Sequence, residues 1–128
     1  MIISEALKQR VWEKGRVVEG LNPDMYRKDA CGAWIIRDKY GATDNLYGWH
    51  IDHICPVSKL SQIGTPESDI WDLRNLRPLQ CQNNISKADD YPSYTAAVTS
   101  EGKKNVLNDR VLTVNEAVRN ELKLLYHL

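Results

Sequence analysis

His50-Ile51-Asp52-His53-Ile54-Cys55-Pro56 holds two of the three histidines of a 128-residue chain and sets an aspartate beside one of them. An aspartate is a hard oxygen ligand for a divalent cation. An imidazole has an ordinary pKa of about 6.5, so it is available as a neutral base near physiological pH. Downstream lie Asn75, and Asn84 followed three residues on by Lys87. A phosphodiester hydrolase needs a base for its attacking water and a cation against the scissile phosphate and the leaving oxygen. His53 meets the first need. Asp52 and the side-chain oxygen of Asn84 suit Mg²⁺, with waters and phosphate oxygens completing its shell. Asn75 is placed to back His53 Nδ1 through its side chain, or to brace the loop. An isolated Asp-His pair at a strand end reads as a surface ion pair; Asn75, Asn84 and Lys87 in register favour a catalytic site.

Several elements must position these groups. Ser4 caps a helix predicted through about Lys14, with Leu7 and Val11 on one face and Gly15 ending it. Residues 20–32, punctuated by Gly and Asn-Pro, read as loop, and 33–37 as a short strand. Residues 47–56 alternate between faces and end at Pro56, which makes a second strand. By that alternation His50 shares a face with Asp52. Residues 58–72 read as loop with a single helical turn. A third strand over 75–81 contains Pro78, which implies an edge position or an irregular pair. A helix opens within 82–90, with Asn83 as its N-cap, and Tyr91-Pro92 ends it. Thr113-x-x-Glu116 reads as a capping box. Val114, Val118, Leu122 and Leu125 then define an amphipathic packing helix over about 114–126.

The segments "HIDHICPVS", "NLRPLQCQNN" and "NNISK" together resemble the HNH endonucleases. The family pattern is hydrophobic-Asp-His-hydrophobic-x-Pro, then Asn-Leu-x-x-Leu, then Asn-x-x-Lys. It falls here at Ile51–Pro56, Asn75–Leu79 and Asn84–Lys87, within a motif core of about 47–90. The nine-residue step from Asn75 to Asn84 is similar to that in the HNH domains of RNA-guided DNA nucleases. More loosely, "KDACGAWI" looks like the lead-in of small stand-alone bacterial and phage members. The resemblance implies an α+β fold, with a ββα-metal hairpin-plus-helix core and flanking N- and C-terminal helices, in one domain over 1–128. It implies metal-dependent hydrolysis of DNA phosphodiester bonds, with Mg²⁺ as the single divalent ion and Mn²⁺ as its substitute. His53 would be the general base, oriented by Asn75, and Asp52 and Asn84 the metal ligands. Lys87 would contact phosphate or brace the helix. Apart from the resemblance, Arg77 could reach a phosphate, and His50 could support Asp52 or serve as an extra ligand. His50 stands where related sequences often carry Glu. The paired zinc-binding cysteines of many members are missing, so other packing must brace the hairpin. A lone subunit with one metal is expected to nick, and a homodimer or two visits would be needed to cut both strands.

Composition limits the alternatives. The chain carries 17 basic and 17 acidic residues, which is not the footprint of a strong nonspecific DNA binder. A metal ion or a targeting protein partner would then supply part of the attraction to DNA. Cys31, Cys55 and Cys81 lack CxxC spacing and read as small core residues in a reduced, cytoplasmic setting. Cys55 and Cys81 are expected to face each other across the hairpin. No apolar run approaches membrane-spanning length. Arg27, Lys28, Arg37 and Lys39, interleaved with Asp24, Asp29 and Asp38, read as solvated, as does Arg77 on an exposed strand face. Trp34, Trp49 and Trp71 read as core. A binding module that keeps the fold without cleavage is the competing class, and a zinc-stabilised structural domain a third.

Overall fold

Ser4 accepts a hydrogen bond from the Leu7 N–H and opens helix α1 (Glu5–Trp12), whose inner face buries Val11 and Trp12. The computed structural model describes residues 2–128 and is mixed α+β, with three two-stranded antiparallel sheets. Strand β1 (Tyr26–Lys28) pairs with β2 (Trp34–Ile36), so the segment 20–32 is not all loop. The reason is local. Arg16 and Lys28 exchange backbone hydrogen bonds, and Arg27 donates to the carbonyls of Pro23, Glu13 and Gly15. Arg27 is therefore a buried strut rather than a solvated cation.

Strand β3 (Trp49–His53) pairs with β4 (Leu76–Gln80). With only two strands in the sheet, Pro78 occupies an edge without interrupting a second ladder. Between them, residues 57–70 hold two short helices, α2 (Val57–Gln62) and α3 (Glu67–Ile70), each preceded by a proline. More of this segment is helical than the expected single turn, because Pro56 and Pro66 pre-set helix starts as well as ending what precedes them. Helix α4 (Cys81–Lys87) follows β4 without a loop. Its cap is Gln80, whose side chain accepts from the Asn83 N–H, so Asn83 is not the cap.

The sequence reading assigns nothing to 93–112, where the longest strands occur: β5 (Ser93–Glu101) and β6 (Lys104–Thr113), joined by a turn with Gly102 at φ 58°. Tyr94, Ala96 and Val98 alternate inward from β5, and α4 packs against that strand. Thr113 belongs to β6, and the cap of helix α5 (Glu116–Tyr126) is Asn115, which accepts from the Val118 N–H. One apolar cluster gathers Ile54, Leu60, Leu79, Tyr94, Val114 and Leu122; a second gathers Val11, Trp12, Ile35, Trp49 and Leu76. The β3–β4 pair contributes to both, and this holds the hairpin in place. No helix among the described residues is long and apolar enough to cross a membrane.

Candidate functional site

The β3–β4 register sets Asp52 opposite Arg77 and His53 opposite Leu76. Arg77 Nε donates to Asp52 Oδ2 at 2.9 Å, and Lys87 Nζ approaches Asp52 Oδ1 at 3.3 Å from the last turn of α4. Lys87 Nζ also donates to the His53 carbonyl at 3.1 Å. Asp52 is 4 % exposed and Lys87 fully buried, so neither is a surface charge. Arg77 is likewise not on an exposed face: its side chain is 11 % exposed and its guanidinium lies 5.1 Å from the Tyr94 ring centroid. Burial pushes the Lys87 pKa down, as does Arg77, while Asp52 pulls it up; the net direction is down. At Arg77 burial opposes the charge, but Asp52 and Tyr94 outweigh it and the pKa is raised.

His53 stands edge-on to Trp71, with ring centroids 4.4 Å apart. Its Nε2 is buried and has no hydrogen-bond partner. Burial lowers its pKa below the ordinary value, against the pull of Asp52 and with the help of Lys87. The ring is therefore held as the neutral base at pH 7.

Asn75 is completely buried. Its Oδ1 accepts from the Cys55 N–H at 2.8 Å, and its Nδ2 donates to the Cys55 carbonyl at 3.0 Å and to that of Ile70 at 3.4 Å. Its backbone carbonyl takes the Ile54 N–H. These bonds clamp the turn that follows His53. The carboxamide is spent on the backbone of Cys55, so Asn75 acts here as a brace and reaches His53 through the chain.

Asn84 is half-buried on α4, three residues before Lys87 and so on a neighbouring part of its face. His50 is half-buried and meets Cys81 and Tyr40. Its Nε2 is 4.0 Å from Cys81 Sγ and its ring meets Tyr40 edge-on, while burial lowers its pKa. Cys81 is thus engaged with His50, and Cys55 sits in the apolar cluster around Leu60; all three cysteines are free and buried.

What braces the hairpin is polar. Asp29, 4 % exposed, accepts from the N–H groups of Cys31, Ala33 and Gln80 and from Asn83 Nδ2. Asn83 in turn accepts from the Ala97 and Val98 N–H groups and donates to the Val98 carbonyl. Burial raises the Asp29 pKa while these donors pull it down. The knot ties β1–β2, β4, α4 and β5 together. On sequence Asp29 reads as solvated and Asn83 as a cap; their partners lie far along the chain, so no local signal marks either role.

Among the described residues no three His, Cys, Asp or Glu side chains converge to hold a metal. The oxygen pair Asp52 and Asn84 is a different donor set, and its fit turns on charge. Both Asp52 oxygens face a cation, so the trio Asp52, Arg77 and Lys87 carries +1 before any ion arrives. A dication at Asp52 would be repelled by both of these cations as well as attracted by the carboxylate. With both oxygens so paired, Asp52 does not fit a divalent ion until one of the cations moves.

No family model matches the chain, and neither does any curated protein or solved structure. The functional reading therefore rests on the geometry and the residues alone.

Proposed function

We propose that the chain is an HNH-type nuclease that hydrolyses phosphodiester bonds, with DNA as the substrate and a ββα-metal hairpin and helix as its core. The observation that carries this reading is His53: a desolvated imidazole with an unpartnered Nε2, held neutral next to Asp52, whose two oxygens meet buried cations, at the end of a strand whose last carbonyl is tied to helix α4 by Lys87. His53 takes a proton from the attacking water. Lys87 and Arg77 supply positive charge where a phosphate would enter, and Asn75 fixes the turn behind His53 so that the ring keeps its position. Mg²⁺, or Mn²⁺ in its place, is the cofactor that the resemblance implies at Asp52 and Asn84. It does not fit while Arg77 and Lys87 both face Asp52, and no step is assigned to it. An incoming phosphate would draw Lys87 off the carboxylate, so any metal dependence should be tied to substrate.

The test is cleavage of supercoiled plasmid in Mg²⁺, Mn²⁺ or EDTA, with wild type beside His53→Ala. Nicking by the wild type that vanishes in His53→Ala is the expected result. Nicking that persists in the variant removes His53 as the base. Intact plasmid at high protein and low salt, with the folded protein still binding DNA, favours the binding-module reading instead.

A further inference from the structure

A cavity of about 450 Å³, lined by Arg77 and Ile54 among others, lies between the end of α1, strands β1 and β4, and helix α5. Its wall carries Lys14, Arg16, Lys28, Arg74 and Arg77 against the carboxylates of Asp29 and Glu121, a balance of +3 (5 − 2) in a chain that is neutral overall. Much of this charge is already engaged. Lys14 Nζ donates to the carbonyls of Leu73 and Leu76, Arg74 pairs with Asp72, and the Lys28 ammonium lies over the Trp34 ring. The Asp29 oxygens are filled by N–H donors.

Two donors remain. Arg77 commits Nε to Asp52, but its Nη2 is buried with no hydrogen-bond partner. A charged donor buried without an acceptor is unfavourable, and a ligand acceptor would complete it once a small turn of the side chain opens Nη2 to the cavity. Arg16 forms no ion pair among the described residues. Its backbone is locked to Lys28 by hydrogen bonds in both directions, so its side chain starts from a fixed point on the rim. Forked guanidinium donors match the tetrahedral oxygens of a phosphate.

We propose that this cavity binds a phosphate group of a nucleic-acid strand, held by Arg77 Nη2 and Arg16, with Arg77 linking the subsite to Asp52. The assignment of the phosphate to a strand rests on the nuclease reading; the anion site itself does not.

The experiment is binding of a fluorescein-labelled ten-nucleotide single-stranded DNA by anisotropy in EDTA, across a salt series. Wild type is compared with Arg16→Glu and with Lys104→Glu, an equal charge change at an exposed position outside the cavity. Arg16→Glu should weaken binding by 10-fold or more and flatten the salt dependence, by about 0.7 in log–log slope for each phosphate of the single strand that is no longer neutralised. Lys104→Glu should stay within about 2-fold of wild type by the weak effect of a distant exposed charge. Arg77→Met is followed by two-dimensional NMR, which reports folding and binding together. Inorganic phosphate should shift the Arg77 Nε–H and Gly15 N–H signals of the wild type, whereas thymidine should not. Equal weakening by Arg16→Glu and Lys104→Glu, or no shift with phosphate, overturns the subsite. DNA held in the cavity by a chain that cleaves nothing leaves the subsite standing and removes the nuclease. Cleavage with unchanged DNA affinity in Arg16→Glu does the reverse.

Discussion

Replacing Asn75 by alanine tests the bracing geometry most directly. The substitution deletes the acceptor of the Cys55 N–H and the donor to the Cys55 carbonyl, in a residue whose surroundings exclude water. Each buried backbone group left without a partner costs about 1–3 kcal/mol. The bond to Ile70, at 3.4 Å, is long and adds little. Because alanine leaves a small void that water could enter, the lower half of the summed range is the better guide. We expect a loss of about 2–4 kcal/mol, a large share of the roughly 5–15 kcal/mol typical of a folded domain. Urea unfolding followed by tryptophan fluorescence measures it, with Asn120→Ala on the exposed side of α5 as control, expected within about 0.5 kcal/mol. Asn75→Asp sharpens the test. It keeps the acceptor for the Cys55 N–H but turns the donor into an oxygen facing the Cys55 carbonyl, so it should destabilise at least as much as alanine at pH 7. If Asn75→Ala cost less than about 1 kcal/mol, or if Asp were well tolerated, the Cys55 clamp would be wrong.

Other expectations concern charge and chemistry. Asp52→Asn strands Arg77 and Lys87 together in a buried site and should cost about 3–5 kcal/mol in urea unfolding; a loss under about 1 would mean that the trio is solvated. Lys87→Met removes one repelling cation at little change of shape. It should tighten Mn²⁺ binding by 10-fold or more in calorimetry, about 1.4 kcal/mol or upward, and equal affinities would contradict the charge argument at Asp52. His53 and His50 both have folded pKa values below the ordinary value, so the unfolded chain binds more protons in the interval between. Their contribution to stability is thus intact above about pH 6.5, falls as pH drops through that interval and levels off below the folded values. Ring-proton NMR titration should place the His53 midpoint under about 6.5, and a midpoint above it would refute the desolvation. Cys31 and Cys81 are buried, with pKa values pushed up to about 12 and about 11, so both should resist iodoacetamide at pH 8 until the protein unfolds. Mass spectrometry reads this, and rapid labelling of the native chain would show that they are open.

How far the sequence could be read depended on whether its signals were local. The α1 cap, the strands around Asp52 and Leu76, and the 3–4 spacing of α5 are properties of a few neighbouring residues, and they were legible. The β5–β6 hairpin carries no clean period-two pattern, because its inward residues include Ala96 and its outward face carries Leu107 and Val111. Asp29, Asn83 and Asn75 took their roles from partners distant in sequence: Asp29 meets Gln80 and Asn83 across about fifty residues. No pattern at Asp29 alone separates a buried hub from a solvated turn aspartate. The Asp52–Arg77 pair is an intermediate case. Once the hairpin register is known, the two stand opposite by counting, yet their burial depends on Tyr94 from β5.

That pairing changes how a neutral chain could handle a polyanion. Lys87 is the cation that acts on His53, and it and Arg77 are both held by one aspartate. Lys87 could be drawn toward an incoming phosphate at the cost of its contact with Asp52, while Arg77 keeps its Nε there. The carboxylate oxygen so uncovered would then regain the attraction for a divalent ion that Lys87 now opposes. Binding of anion and of metal would therefore be positively coupled through Asp52, each favouring the arrangement that the other needs, and linkage requires the coupling to be equal in both directions. A site of this kind would bind either ligand weakly alone, which suits a protein whose surface offers DNA no net attraction from a distance.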